Sequence, residues 1–297
     1  MGILTPQDII IPVGVFQSGK WKTSWPKAGI DSHFTNDSGE PLPKILPLDK
    51  VPAKWLPDGI KIPRNWILLG GGSDQRNLTV EEATEFESHC STVWGLRASF
   101  IGTGRRPEHV NPKVGVVGMV TSGITKARVC EAVGPNSSES KALLTFLRKN
   151  FDLAEEQAIR KAGGSLNTGH PTAKGKRILN PLKAKNVSKI KTERPKQTLY
   201  FISIVREYEN PDCPAESLYN VWMLRNDQKY KILSADMILT DCDRKEGSWI
   251  YPVGIVSIES REYIVSEELG YESESYTIRM LDKGALKTVL FVRGGGC

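Results

Sequence analysis

The chain lacks every short signature that announces a chemistry. None of its five cysteines (Cys90, Cys130, Cys213, Cys242, Cys297) stands in a C-x-x-C pair, so neither a disulfide framework nor a zinc site is indicated. Neither G-x-G-x-x-G nor a P-loop occurs, which removes the strongest sequence arguments for a dinucleotide or triphosphate site. No apolar stretch reaches the roughly eighteen residues that a membrane-spanning helix needs. Met1–Phe16 has no basic leader segment, and Asp8 interrupts its apolar run, so a signal peptide is not indicated. Gly2 is followed by Pro6 where N-myristoylation wants Ser or Thr. These absences lead us to expect an intracellular protein, soluble or peripherally attached to a membrane. They also lead us to expect no metal or cofactor.

What is present is a globular composition with one unusual concentration of charge. The 297 residues are 39% hydrophobic and 25% charged, enough for one large or two ordinary domains. Lys174, Lys176, Arg177, Lys183, Lys185, Lys189, Lys191, Arg194 and Lys196 face a single acid, Glu193. That excess exceeds the net charge of the whole chain, +6, so the rest is slightly acidic. Gly175, Pro181 and Pro195 lie in the same stretch, and its apolar residues keep no sustained period. It therefore reads as an extended connector over 171–197, between a mixed α/β region (1–170) and an antiparallel β domain (198–297).

In the first region, prolines at 41, 43, 47, 52, 57 and 63 exclude helix, and Trp21, Trp25 and Trp55 are expected to clamp the segment 17–63 onto a folded body. Trp66–Leu69 reads as a strand. Thr79-x-x-Glu82 reads as a capping box opening a helix to about Trp94, on which Val80, Ala83, Phe86, Cys90 and Val93 recur at helical spacing. Leu96–Ile101 then completes a βαβ unit. Its glycine-rich loops, Gly70-Gly71-Gly72-Ser73 and Gly102-Thr103-Gly104 with Arg105 and Arg106, would share one sheet edge and cradle a phosphate. A Cys90–His109 dyad is the one nucleophile–base pairing to weigh, and no catalytic residue is assigned. Residues 113–120 and 124–133 read as a hairpin. Two helices follow, one from Ser138 to Lys149 and one capped by Asp152. Arg148, Lys149, Arg160 and Lys161 on them do not make a helix-turn-helix reader, because the second helix opens with acids.

From Leu199 onward, short apolar runs separated by Asn210-Pro211, Asn226-Asp227, Glu246-Gly247 and Asp282-Lys283-Gly284 predict an antiparallel sandwich or barrel. Asp241 and Asp243 read as turn residues, and Arg293–Cys297 as a frayed tail. Glu267, Glu268, Glu272 and Glu274 form a solvated acidic loop able to close on the connector. The fold class is thus α+β. The leading function is a non-catalytic binding or assembly protein, a candidate homo-oligomer, that meets nucleic acid or an anionic lipid surface through the connector. Two β-containing bodies around a basic segment resemble the general layout of some viral matrix and capsid-associated proteins. Two other readings stand beside it: an enzyme or sensor using the loops at 70–73 and 102–106, and a protein–protein scaffold.

Overall fold

Antiparallel sheets make up most of the described residues, and the central strands are buried on both faces. The computed structural model describes residues 1–5, 7–23, 43–56, 61–69, 76–88, 91–101, 116–119, 124–162, 170–208, 215–240 and 247–296. The N-terminal strands are β1 (Gly2–Leu4), β2 (Ile9–Pro12), β3 (Gly14–Gln17), β4 (Lys20–Thr23), β5 (Ile45–Pro47), β6 (Asn65–Leu69), β7 (Arg76–Ser88), β8 (Ser91–Phe100) and β9 (Val116–Met119). Pairing runs from β6 through β7, β8, β2, β1 and β9 and back to β6, every step antiparallel, with β5 added to β7. Leu4, Ile10, Trp66, Leu78, Trp94 and Leu96 fill the core of this unit. Trp55, fully buried, meets Trp94 edge-on at 5.3 Å and clamps its part of the proline-rich segment, while Trp25 lies outside the described residues.

The βαβ unit is not formed. Residues 76–100 make the β7–β8 hairpin, with Leu78 opposite Phe100 and Ser88 opposite Ser91. A bulge between Val80 and Glu82 explains why the segment looks helical. One extra residue changes the inward spacing from two to three, so buried Val80 and Ala83 mimic a helical period. Both glycine-rich loops, with Arg105 and Arg106, lie outside the described residues, as do Cys90, His109, Asp241 and Asp243. Gly95 shows how tightly β8 meets its neighbours. A β-carbon there would lie 2.3 Å from Ile9 Cγ2 and 3.1 Å from the Ile10 carbonyl oxygen. Gly95→Ala is therefore expected to cost about 1–3 kcal/mol through overpacking, read as a lower urea midpoint at unchanged slope.

The remaining elements are β10 (Ile124–Val129), β11 (Glu131–Ala132), α1 (Ser138–Lys161), α2 (Lys174–Arg177), β12 (Leu182–Lys191), β13 (Gln197–Tyr208), β14 (Ala215–Asn226), β15 (Lys229–Leu239), β16 (Trp249–Ile258), β17 (Arg261–Leu269), β18 (Ser273–Asp282) and β19 (Ala285–Gly296). They build two five-stranded sheets, β11-β12-β13-β14-β15 and β10-β16-β17-β18-β19. Alternation along β13 sends Tyr200, Ile202 and Ile204 toward α1, and Leu199 and Phe201 toward Ile255 and Ile264 of the second sheet. That second sheet turns Val256, Tyr263, Val265 and Ile278 onto Met1, Ile3 and Val13. The layers therefore run helix, sheet, sheet, N-terminal strands, and the two halves of the chain share a core. The antiparallel β architecture expected of the C-terminal region is present as two packed sheets, which also take in β10, β11 and β12 from before residue 198.

Several local readings change. β9 and β10 are not a hairpin: β9 pairs with β1 and β6, whereas β10 pairs with β16. The two expected helices are one continuous α1, capped by Ser137, whose side chain accepts from the Ser140 amide at 3.1 Å. The glycine tail is strand, not fray: Ser275 pairs with Arg293 and Ser273 with Gly296. A β-carbon on Gly294 would approach the Glu274 carbonyl oxygen to 3.0 Å, so glycine allows close strand contact there.

The basic stretch is not an open connector either. Its middle is β12, ten residues paired with β13, and Pro181 and Pro195 mark its ends rather than its flexibility. A bulge between Ala184 and Asn186 shifts the alternation in mid-strand, and beyond it Val187 packs toward α1 while Ile190 packs toward the second sheet, so burial on both faces leaves no simple period.

Candidate polyanion-binding surface

On α1 the buried side chains Leu143, Leu147, Phe151, Glu155 and Ile159 follow one another at intervals of four, a single inward stripe. Glu155 is the anomaly on it, a carboxylate 1% exposed. Burying that charge requires cations and hydrogen bonds around it. Arg206 of β13 and the Tyr208 hydroxyl both donate to it, and Arg177 Nε lies 3.4 Å away. Arg206 also donates to Asp152 at 2.8 Å and to the Asn180 carbonyl at 3.2 Å, and its guanidinium stacks on Phe151. Arg177, 1% exposed, reaches Glu156 and the carbonyls of Pro171 and Thr172. It is thus an anchor holding α2 against α1, and it is unavailable to any partner.

This network has a consequence for the outside of the helix. All four α1 acids have internal partners: Asp152, Glu155 and Glu156 as above, and Glu139 through Lys189 at 2.9 Å and the Tyr200 hydroxyl at 2.6 Å. Burial pushes the Glu139 and Glu156 carboxyls up, but donation from Tyr200 and Lys189 to the first, and from Arg160 and Arg177 to the second, holds both below the usual range. The helix cations point the other way. Lys141, Arg148, Lys149 and Lys161 are exposed, as are Lys174 and Lys176 on α2, and none makes an ion pair among the described residues. Arg160 is also mostly exposed, although it pairs with Glu156 at 3.0 Å. The outer face of α1 and α2 is therefore cationic, with its own acids already occupied.

The other basic residues of 171–197 fare differently. Lys183 and Lys185 both bind Glu207, the latter at 2.8 Å, and hold its carboxyl down to about 2. Beyond its short pairing with β11, β12 is an exposed edge, where lysines protect against strand-to-strand aggregation. Lys191, Arg194 and Lys196 stand at the hairpin tip, about 30 Å from α2 by the length of the strand. Arg194, Arg261 and Lys283 line a cleft of about 400 Å³ there, but so do Glu193, Glu262 and Asp282, so its charge balances. The anticipated dense run of cations is thus split by the fold into an anchor, a paired edge and two separate ends. Of the acids expected to close on it, Glu267 and Glu274 are buried in β17 and β18 and Glu268 accepts from Arg279, while Glu272 is exposed.

Glu207 gives an acid-stability test. Because its folded value is depressed, its contribution is complete above the ordinary glutamate range and is lost as pH falls toward about 2. Wild type and Glu207→Gln should differ modestly near neutrality, since the lysines are half-exposed, and converge at the acid end in pH-dependent unfolding.

No protein-family model, curated protein or solved structure matches the chain. Among the described residues, no helix is long and apolar enough to cross a membrane. Of the nine basic residues singled out by sequence, Lys174 and Lys176 belong to the cationic helical face. Lys141, Arg148, Lys149 and Lys161 were not assigned to it. The signal for them was Glu155, an acid standing on an otherwise apolar stripe, which implies that the helix acids turn inward.

Proposed function

We propose that this chain is a non-catalytic binding or assembly protein that contacts a polyanion through the outer face of α1 and α2. The observation that supports this reading is the division of charge on α1: every acid is paired internally with Arg, Lys or Tyr, while Lys141, Arg148, Lys149 and Lys161 along the helix, and Lys174 and Lys176 on α2, are exposed. Six exposed cations that make no ion pair among the described residues raise the local potential and attract phosphate-bearing surfaces, with release of condensed counterions. Arg160 and Lys161 also complement the carboxyl end of the helix dipole, but that accounts for the last turn alone.

Binding of the full chain to heparin, a generic polyanion, tests the proposal. The affinity is expected to fall linearly with salt on logarithmic axes. Affinity that is absent at low salt, or indifferent to salt, contradicts it.

A further inference from the structure

The cationic face also carries apolar side chains that the fold leaves uncovered. Ile178 is 51% exposed and Leu179 81%, the latter the most exposed large hydrophobic residue among those described. Leu153, 51% exposed, stands four residues beyond Lys149 on α1, on the same outer side. Scattered exposed aliphatics are ordinary on protein surfaces. Ile178 and Leu179 are adjacent, close the turn that carries Lys174 and Lys176, and are held in place on both sides.

The preceding residue is Arg177, buried in the Glu155–Glu156 network, and the following residue is Asn180, whose carbonyl accepts from Arg206. Backbone bonds close the turn between them: Ile178 donates to the Lys174 carbonyl at 3.1 Å and Asn180 to that of Arg177 at 3.0 Å. The turn therefore cannot fold its aliphatic pair inward without breaking a buried ionic cluster. It presents a rigid apolar tip between cations.

We infer that the polyanion is an anionic lipid bilayer, with Ile178 and Leu179 entering the boundary between headgroups and acyl chains while Lys174, Lys176 and Lys149 meet the phosphates. This rests on the cationic-face reading above and names its partner. A bilayer alone among polyanions offers negative charge over an apolar interior, matching both features at once. Nucleic acid would instead favour aromatic side chains for base stacking, and Phe146, the one exposed ring on α1, is engaged with Tyr230 at 5.1 Å.

Co-sedimentation of the full chain with phosphatidylcholine vesicles, with and without phosphatidylserine, tests the inference beside a single-stranded RNA control. The protein is expected to bind only the phosphatidylserine vesicles. Ile178→Ser with Leu179→Ser should weaken that binding roughly tenfold or more while leaving heparin binding intact. Lys174→Gln with Lys176→Gln should weaken both, about fivefold per charge. All four positions are exposed, so unchanged thermal unfolding is expected and verifies folding. Binding to RNA and heparin without vesicle binding, or vesicle binding indifferent to the aliphatic pair, overturns the lipid assignment and leaves the polyanion reading standing. Binding to none of these probes overturns both.

Discussion

Glu155→Gln is expected to destabilise the protein by about 3–5 kcal/mol, lowering Tm on the order of 10 °C for a domain of this size. The substitution keeps the shape of the side chain and removes its charge. Arg177 and Arg206, both 1% exposed, would then lie buried with much of their compensation gone, Glu156 and Asp152 remaining at one edge of each. The cost arises from the cations left behind rather than from the bond removed. Arg160→Gln is the internal comparison. Its pair with Glu156 lies at the surface, and the loss should not exceed about 1 kcal/mol. Denaturant unfolding of the two variants side by side checks the account, and equal losses would mean that the buried cluster is not what joins α1, α2 and β13.

Replacing Lys149, Lys174 and Lys176 together by Gln should lower affinity for a phosphate-bearing polyanion roughly a hundredfold, at about 1 kcal/mol for each cation. Against duplex nucleic acid, the logarithmic salt slope should also become shallower by about 3. The change should come without loss of stability, because these side chains make no ion pair among the described residues. A drop in affinity with an unchanged slope would point to altered structure instead of lost phosphate contacts, and binding isotherms at several salt concentrations separate the two.

Much of the C-terminal architecture was legible because short apolar, β-branched and aromatic runs stand there between turn residues, buried on both faces in the central strands. Trp249–Ile258 has the bounds its sequence suggests, and Tyr230–Ser234 with Asp236–Leu239 merge into β15. Legibility failed where a bulge broke the phase. At Val80 and Glu82 one added residue turned a strand pattern into a helical one, and at Ala184 and Asn186 another made a strand look like a linker. Long-range pairing was equally hidden: nothing local to 116–129 tells that β9 joins one sheet and β10 another. The charge of 171–197 was visible, but its fate was not. Whether a lysine meets water or a carboxylate depends on Glu207 and Glu139, which lie far off in sequence. The inward turn of the α1 acids could have been read from Glu155 alone.

The most direct test compares two sets of lysines drawn from the same chain. Lys149, Lys174 and Lys176 face outward, whereas Lys183, Lys185 and Lys189 are paired with Glu207 and Glu139. Each set is replaced by glutamine, and low-salt affinity for phosphatidylserine vesicles and heparin is measured for both triple variants. Loss of binding in the outward set, with near wild-type binding in the paired set, is the predicted result. Retained binding in the outward set and loss in the paired set would contradict the account at its root.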